Sequence, residues 1–408
     1  MAWIGGISSR TDVSQRQLRR NVAVMTEAAW PANRRSIVDY PRHISSMLDE
    51  QHGRALVQVS VSSERTPPEH VRADGRERPV LIYDGHLYDF RNSESTLSEV
   101  QHTAEKTVAE SLVRKLAELP GNLERKVRRA LPGLDGDYAL ALGDTESIVI
   151  SRDSLGTKPL YFAENSKLFA FASNKKPLWR IGLAEVKPLR AGKLVVFNHG
   201  EVSIGKASPF RKKEAVIGDM SQAVDAYEQA LRSAVTKRVA RTKHSLKLGV
   251  LLSGGVDSCL IAKLVCDVAS SLGTDVVAYS AGLPDSPDVK FARQSARELD
   301  IRHKMKILTI HEVEKYIPGV IEAIEDSDFV QVETGIGLYA AIDMASHDGI
   351  RVLFSGQGPD ELWGGYDWYP RVLGRDGRQE LCRRMWDDFT RADIEICCFH
   401  TWIPRWQT

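Results

Sequence analysis

The run Ser253-Gly254-Gly255-Val256-Asp257-Ser258 combines residue types suited to holding a polyphosphate. Its two glycines let the main chain approach an anion where a Cβ would keep it away. The serine hydroxyls can add donors, and Asp257 can bind a magnesium ion that shares the phosphate charge. No lysine follows the glycines, so this is not the GxxxxGK[ST] loop. The flanks decide between a phosphate cradle and an ordinary glycine turn. Before the run comes the apolar stretch Leu248–Leu252; after it Leu260, Leu264 and Val268 recur at helical spacing. A buried strand, a tight turn and a helix start put free N–H groups and the positive end of a helix dipole at the turn, which favours the cradle.

A second glycine cluster, Ser355–Tyr366 (SGQGPDELWGGY), directly follows the apolar segment Ile350–Phe354. It carries Asp360 and Glu361, which read alone as a solvated loop. At the same sheet edge as Asp257, Asp360 could share one magnesium ion with it, because two carboxylates plus phosphate oxygens suit that hard ion.

The elements around these runs fall into two halves. Residues 1 to about 205 contain strand-like pieces at Ala55–Ser60, Pro79–Tyr83, Ser147–Ser151, Leu160–Phe162, Leu168–Phe171 and Lys193–Phe197. A helical stripe through Val108, Leu112 and Leu116 lies in Thr103–Leu119. Mixed strands with segregated helices predict an α+β sandwich. The charged stretch from Pro209 to Met220 reads as a linker. An amphipathic helix, Ser221–Ala240, follows, with Val224, Tyr227, Leu231 and Val235 on one face. Strands at Leu246–Leu252, Val276–Gly282, Ile301–Ile307 and Ile350–Phe354 then alternate with helices at Cys259–Leu272, Asp288–Leu299, Glu312–Ile324 and Gly335–Ser346, which predicts a doubly wound parallel sheet. Ligands of such sheets sit beyond the carboxyl ends of the strands, where both glycine runs fall.

The composition fits this α/β organisation. The chain has 408 residues, enough for two domains, and is 42% hydrophobic and 27% charged, as expected of a soluble globular protein. A net charge of +1 gives no bulk electrostatic case for nucleic acid or an anionic membrane as partner. No apolar run approaches a membrane span, and the first residues lack a secretory pattern. The five cysteines form no CxxC pair, so a reduced, cytoplasmic protein is expected.

SGGVDS resembles the pyrophosphate loop of the ATP pyrophosphatases. Together with Ala281–His303 and SGQGPDELWGGY it resembles, in order and approximate spacing, the synthetase domain of the glutamine-hydrolysing asparagine synthetases, relatives of the β-lactam synthetases. The first half is similar to the same family. Asp84-Gly85-His86-Leu87-Tyr88 resembles its NGEIYN segment, Leu134–Ala139 its LxGDFA segment, Arg152–Tyr161 its RDxxGxKPLY segment and Phe171–Lys176 its FASExK segment. The resemblance implies a class II glutamine amidotransferase-like domain of the Ntn type over 1–208, a linker over 209–220 and an ATP pyrophosphatase-type synthetase domain over 221–408. ATP and Mg²⁺ would be its cofactors, a small-molecule carboxylate (aspartate by default) and ammonia or another amine its substrates. By resemblance, Ser253, Gly254, Gly255, Asp257 and Ser258 hold pyrophosphate, and Leu252, Ala281, Ser355 and Gly356 line the adenosine pocket. Asp257 and Asp360 hold the metal.

The departures from the family bear on mechanism. Ala2 stands where the glutaminase has its cysteine nucleophile, and no cysteine precedes Cys259. His43 and His52 do not form an HRGPD-like segment. Asp84 replaces the oxyanion-hole asparagine, and a carboxylate would repel the developing charge. These changes predict that the first domain does not hydrolyse glutamine, leaving Asp153 and Lys158 as a buried structural pair and turn. Gln357 occupies the position of the synthetase general base and cannot accept a proton; Asp326, Asp328 or Glu333 could substitute, or form a solvated cluster. No lysine follows Lys315, and the closing segment with Cys397, Cys398, Trp402 and Trp406 lacks the family's lysine-bearing lid. That segment reads either as a docking tail or as an altered frame after truncation. Three readings follow: an ammonia- or amine-using amide ligase; an amide or lactam synthetase of a specialised pathway; or an incomplete ATP-binding half of a split or truncated synthetase. The expected macromolecular partner is a second copy of the chain or a partner chain supplying the missing region.

Overall fold

The computed structural model describes residues 2–10, 14–29, 42–49, 53–61, 79–90, 105–207, 218–240, 242 and 247–400. Chain contacts divide it into two units, built mainly on Met1–Arg211 and Lys212–Glu395.

The first unit contains β1 (Ala2–Ser9), α1 (Gln15–Ala28), β2 (Arg42–Asp49), β3 (Arg54–Val61), β4 (Val80–Phe90), α2 (Glu105–Glu118), α3 (Leu123–Ala130), β5 (Leu134–Gly143), β6 (Ser147–Arg152), β7 (Tyr161–Glu164), β8 (Leu168–Ala172), α4 (Lys176–Arg180), β9 (Lys187–Pro188), β10 (Lys193–Asn198) and β11 (Glu201–Lys206). Two antiparallel sheets form, in the orders β2-β3-β1-β8-β7-β9 and β11-β10-β6-β5-β4. Strand alternation assigns their faces. Ala139, Ala141, Ile148 and Ile150 point inward against Ile4, Phe169 and Phe171 of the other sheet. Leu140, Leu142 and Val149 point outward onto Leu112, Leu116 and Val127 of α2 and α3. This is the expected α+β sandwich.

Arg152 is the largest fully buried side chain of this unit. Its guanidinium donates to the carbonyls of Lys158 (2.5 Å), Leu189 (2.7 Å) and Gly156. Beside it, the Asp153 carboxylate accepts from the amides of Tyr138, Leu155 and Thr157. Burial is the main force raising the Asp153 carboxyl pKa, and the Arg152 charge opposes it. The structural role expected of Asp153 is seen, but not its pairing with Lys158. Lys158 reaches Asp84 instead, at 4.0 Å.

The second unit contains α5 (Met220–Ala240), β12 (Leu248–Leu251), α6 (Val256–Ser271), β13 (Val276–Gly282), α7 (Pro287–Glu298), β14 (Arg302–Ile307), α8 (Ile310–Ile324), α9 (Phe329–His347), β15 (Val352–Phe354), α10 (Pro359–Trp363) and α11 (Tyr369–His400), the last broken by non-helical Gly377. Its four parallel strands run in the order β14-β13-β12-β15. One face packs Val250 and Ala278 against Val265 of α6, Ala292 of α7 and Val235 of α5. The other packs Val277 and Tyr279 against Ala341 and Ala345 of α9. Helices on both faces make the expected doubly wound sheet.

Local capping explains where the helices differ from their apolar periodicity. Thr309 and Glu312 form a reciprocal capping box, so α8 starts at Ile310. Asp328 accepts from the Gln331 amide and starts α9 at Phe329, well before Gly335. Asp326 accepts from the amides of Ser327 and Asp328. These two acids therefore shape a loop and a helix start. On α5, Val235 is buried, but Val224 and Tyr227 are exposed, contrary to the expected stripe. His52, residues 208–217 and 401–408, with Trp402 and Trp406, lie outside the described residues, as do the side chains of His43, Cys397 and Cys398. No described helix is long and apolar enough to cross a membrane.

Replacing Arg152 with Met should destabilise the first unit by about 3 kcal/mol or more, because three carbonyls lose a charged donor. Denaturant unfolding followed by tryptophan fluorescence measures this; a loss below about 1 kcal/mol would contradict the assigned role.

Candidate functional site

The second sheet changes direction between β12 and β15. From β12 the chain moves through α6 to β13 on one side, and later returns to β15 on the other. The carboxyl ends of these two central strands therefore open into the crevice where such sheets bind ligands. Parallel pairing holds the ends level, with Val250 opposite Phe354. Each strand releases one glycine run into that crevice.

The first run turns at Gly254, whose φ of +85° is strained for any residue with a side chain. Extended Gly255 then caps α6, which starts at Val256 rather than at the expected Cys259. Ser253 and Gly255 are exposed and Asp257 is half-buried in the first helical turn. Ser258 differs from expectation. It is buried, accepts from the Ser253 amide (3.3 Å) and donates its hydroxyl proton to the Gly255 carbonyl (2.9 Å). A hydroxyl has one proton. Ser258 therefore braces the loop, while Ser253, within 3.0 Å of it, sits on the exposed side. Leu252 places its side chain in the core under the sheet.

The second run meets the first through main chain. A Cβ on Gly356 would lie 2.5 Å from the Ser258 nitrogen and 2.7 Å from the Asp257 carbonyl carbon. Only glycine permits this approach. Asp360, in the first turn of α10, comes close enough to Asp257 for the two charges to interact. Burial first, and then the Asp257 charge, push the Asp360 carboxyl above its usual range. A cation between the two carboxylates would offset their repulsion. No group of three His, Cys, Asp or Glu side chains among the described residues is placed to hold a metal. Phosphate oxygens would complete a magnesium shell here.

Ser355 accepts from the Gln357 amide (3.3 Å), and the Gln357 residue is exposed at the crevice edge. Ala281 is the penultimate residue of β13, one strand over. Glu361 is buried, with Oε1 accepting from the Tyr366 hydroxyl at 2.5 Å. Burial, and then the bond to Glu361, raise the Tyr366 hydroxyl pKa. The aromatic packing of Tyr366 against Trp368 and Tyr369 was not read from the sequence, although their spacing after GG was the available signal.

The family model for asparagine synthase matches residues 226–395, spanning this whole arrangement, and the model for the glutamine amidotransferase domain matches residues 54–180. By these matches the second unit carries an asparagine synthase domain and the first a glutamine amidotransferase-type domain. A Methanocaldococcus jannaschii relative named as a glutamine-hydrolysing asparagine synthetase is 34% identical over 276 residues, 63% of this chain and 50% of the relative. Asparagine synthetase B of Escherichia coli is 30% identical over 273 residues, 62% of this chain and 48% of its own length. The chain thus spans about half the length of the curated asparagine synthetases it matches. Among solved structures, the B. subtilis glutamine phosphoribosylpyrophosphate amidotransferase overlays with a TM-score of 0.37 at 11% identity, covering 99% of this chain and 98% of that one.

The segment resembling the family's NGEIYN lies in β4. Asp84 is fully buried there, and burial raises its carboxyl pKa against the opposing charge of Lys158. Asp84 thus sits at the oxyanion position as a buried acid facing Lys158, not as the amide donor of the family pattern.

The raised pKa of Asp360 has a stability consequence. The folded state disfavours this carboxylate, so the penalty is absent where both states are protonated and grows as pH rises through the folded pKa. The Tm of Asp360→Asn minus that of the parent should become more positive as pH rises through the carboxylate range. A difference flat with pH would contradict the coupling. Gly356→Ala should separate the two runs and lower Tm at every pH.

Proposed function

We propose that this chain is an ATP-dependent amide-forming ligase. It adenylates a small-molecule carboxylate, aspartate by default, with release of pyrophosphate, and an amine then attacks the acyl adenylate and displaces AMP. The observation that carries this reading is the meeting of the two glycine runs at the switch point, with Asp257 and Asp360 near enough for their charges to interact. The exposed Ser253 hydroxyl and the first-turn N–H groups of α6 suit the phosphates. Asp257 and Asp360 would hold Mg²⁺, which neutralises charge on the leaving pyrophosphate when bound. Ala281 near the end of β13, the main chain of Leu252, and Ser355 and Gly356 would form the adenosine wall.

The nitrogen comes, on this reading, from free ammonia or another amine. No cysteine precedes Cys259 in the sequence, so these residues offer no thiol to attack a glutamine amide, and this carries the reading. Gln357 cannot take a proton from the attacking amine, which must release it to water or to another carboxylate. This slows amide formation without affecting the adenylation half-reaction. Exposed Gln357 thus also favours a second reading, in which the chain binds ATP and is completed by another polypeptide.

ATP–pyrophosphate exchange with candidate acids tests the proposal. Exchange with at least one acid is expected, reduced at least about a hundredfold in Asp257→Ala and in Asp360→Ala through loss of the metal site. Glutamine should support no AMP formation above an ammonia-free control. ATP binding without exchange for any acid would replace the ligase reading with the binding-only one. Glutamine-dependent turnover would overturn the assignment of the nitrogen source.

A further inference from the structure

The carboxyl end of β12 is braced by a hydrogen-bond chain that lies outside both glycine runs. Leu252 follows the last residue of β12, and its amide still pairs with the Tyr279 carbonyl at 2.9 Å. Its own carbonyl turns to the side and accepts from the hydroxyl of Ser280, a buried residue of β13. The same Ser280 oxygen lies 2.8 Å from Nε2 of His303 on β14. These contacts fix the proton positions. A carbonyl only accepts, so the single hydroxyl proton of Ser280 points at Leu252. His303 must then donate from Nε2, and the chain runs Nε2–H to Ser280 to the Leu252 carbonyl. Burial first, and then the nearby Arg293 charge, lower the His303 pKa, which favours the neutral ring.

The peptide plane anchored in this way joins Leu252 to Ser253. Orienting its carbonyl also aims the Ser253 amide, which donates to Ser258 and so enters the brace of the phosphate loop. The next residue is Gly254, seated against α7 so closely that a Cβ would lie 2.4 Å from the Ala292 nitrogen. The loop is thus held both by α7 and by the Ser280–His303 chain.

We propose that Ser280 and His303 are positioning residues for the phosphate cradle, acting through the Leu252 carbonyl. This rests on the reading that the cradle binds the phosphates of ATP. Ser280 and His303 do not touch the nucleotide. They set the direction of the main chain that does.

The experiment measures Mg·ATP affinity by titration calorimetry and hydrogen exchange in the nucleotide-free full-length chain. Ser280→Ala should weaken affinity about tenfold, as expected for one unpaired buried carbonyl. It should also speed exchange in a peptide spanning 253–258 while leaving β12 protected. His303→Ala should act in the same direction. His303→Gln should restore both readouts, because its amide nitrogen reaches the place of Nε2; His303→Asn should not. The Ser280→Ala/His303→Ala double variant should be no worse than Ser280→Ala alone. His303 is only half-buried, so the Gln and Asn pair carries the test even if Ser280→Ala fails to fold. Parent-like affinity and exchange in His303→Asn would overturn the proposal, as would equal effects of Asn and Gln. If the parent chain binds no ATP, the nucleotide reading fails, and the exchange pattern alone decides the positioning role.

Discussion

The contact on which the second unit depends is between two main chains, at Gly356 against Asp257 and Ser258. Parallel pairing of β12 with β15 levels the two strand ends, and the missing Cβ lets the loops that leave them close on each other. Any side chain at Gly356 would hold Asp360 away from Asp257. Two interacting carboxylates can thus be brought together from residues about a hundred positions apart because one position has no side chain.

The arrangement carries an electrostatic cost that binding can relieve. Asp360 is pushed above the usual carboxylate range by burial and by Asp257, so the folded protein holds together two groups that repel. Strain of this kind concentrates at sites of function, where a ligand supplies the missing opposite charge. The rest of the loop is rigid by construction. Ser258 is committed to the loop, α7 packs against Gly254, and Ser280 holds the Leu252 carbonyl. A cradle fixed before the nucleotide arrives loses less conformational entropy on binding.

Much of this was legible in the residues. The apolar runs and glycine punctuation located β12, β13, α6 and both loops, because a buried parallel strand and a phosphate-type turn each impose strong local patterns. The order of the strands was not legible. It follows from which sheet edge β15 joins, a long-range choice with no local signal. Nor could spacing distinguish the roles of Ser253 and Ser258, which differ only in where one hydroxyl proton points. Capping by Asp328 and Thr309 shifted two helix starts, and Val224 and Tyr227 showed that apolar spacing on α5 does not by itself determine burial. In the first unit, Asp84 reads as a charge in the sequence and as a buried, pKa-raised acid in the fold.

The central claim is that Asp257 and Asp360 form a metal-dependent phosphate site. Titration of ATP into the purified chain with Mg²⁺ and with a metal chelator tests it most directly. The account predicts binding at least about tenfold tighter with Mg²⁺, since the ion must bridge two carboxylates and the phosphates. ATP bound equally well in the chelator, with no gain on adding Mg²⁺, would contradict it.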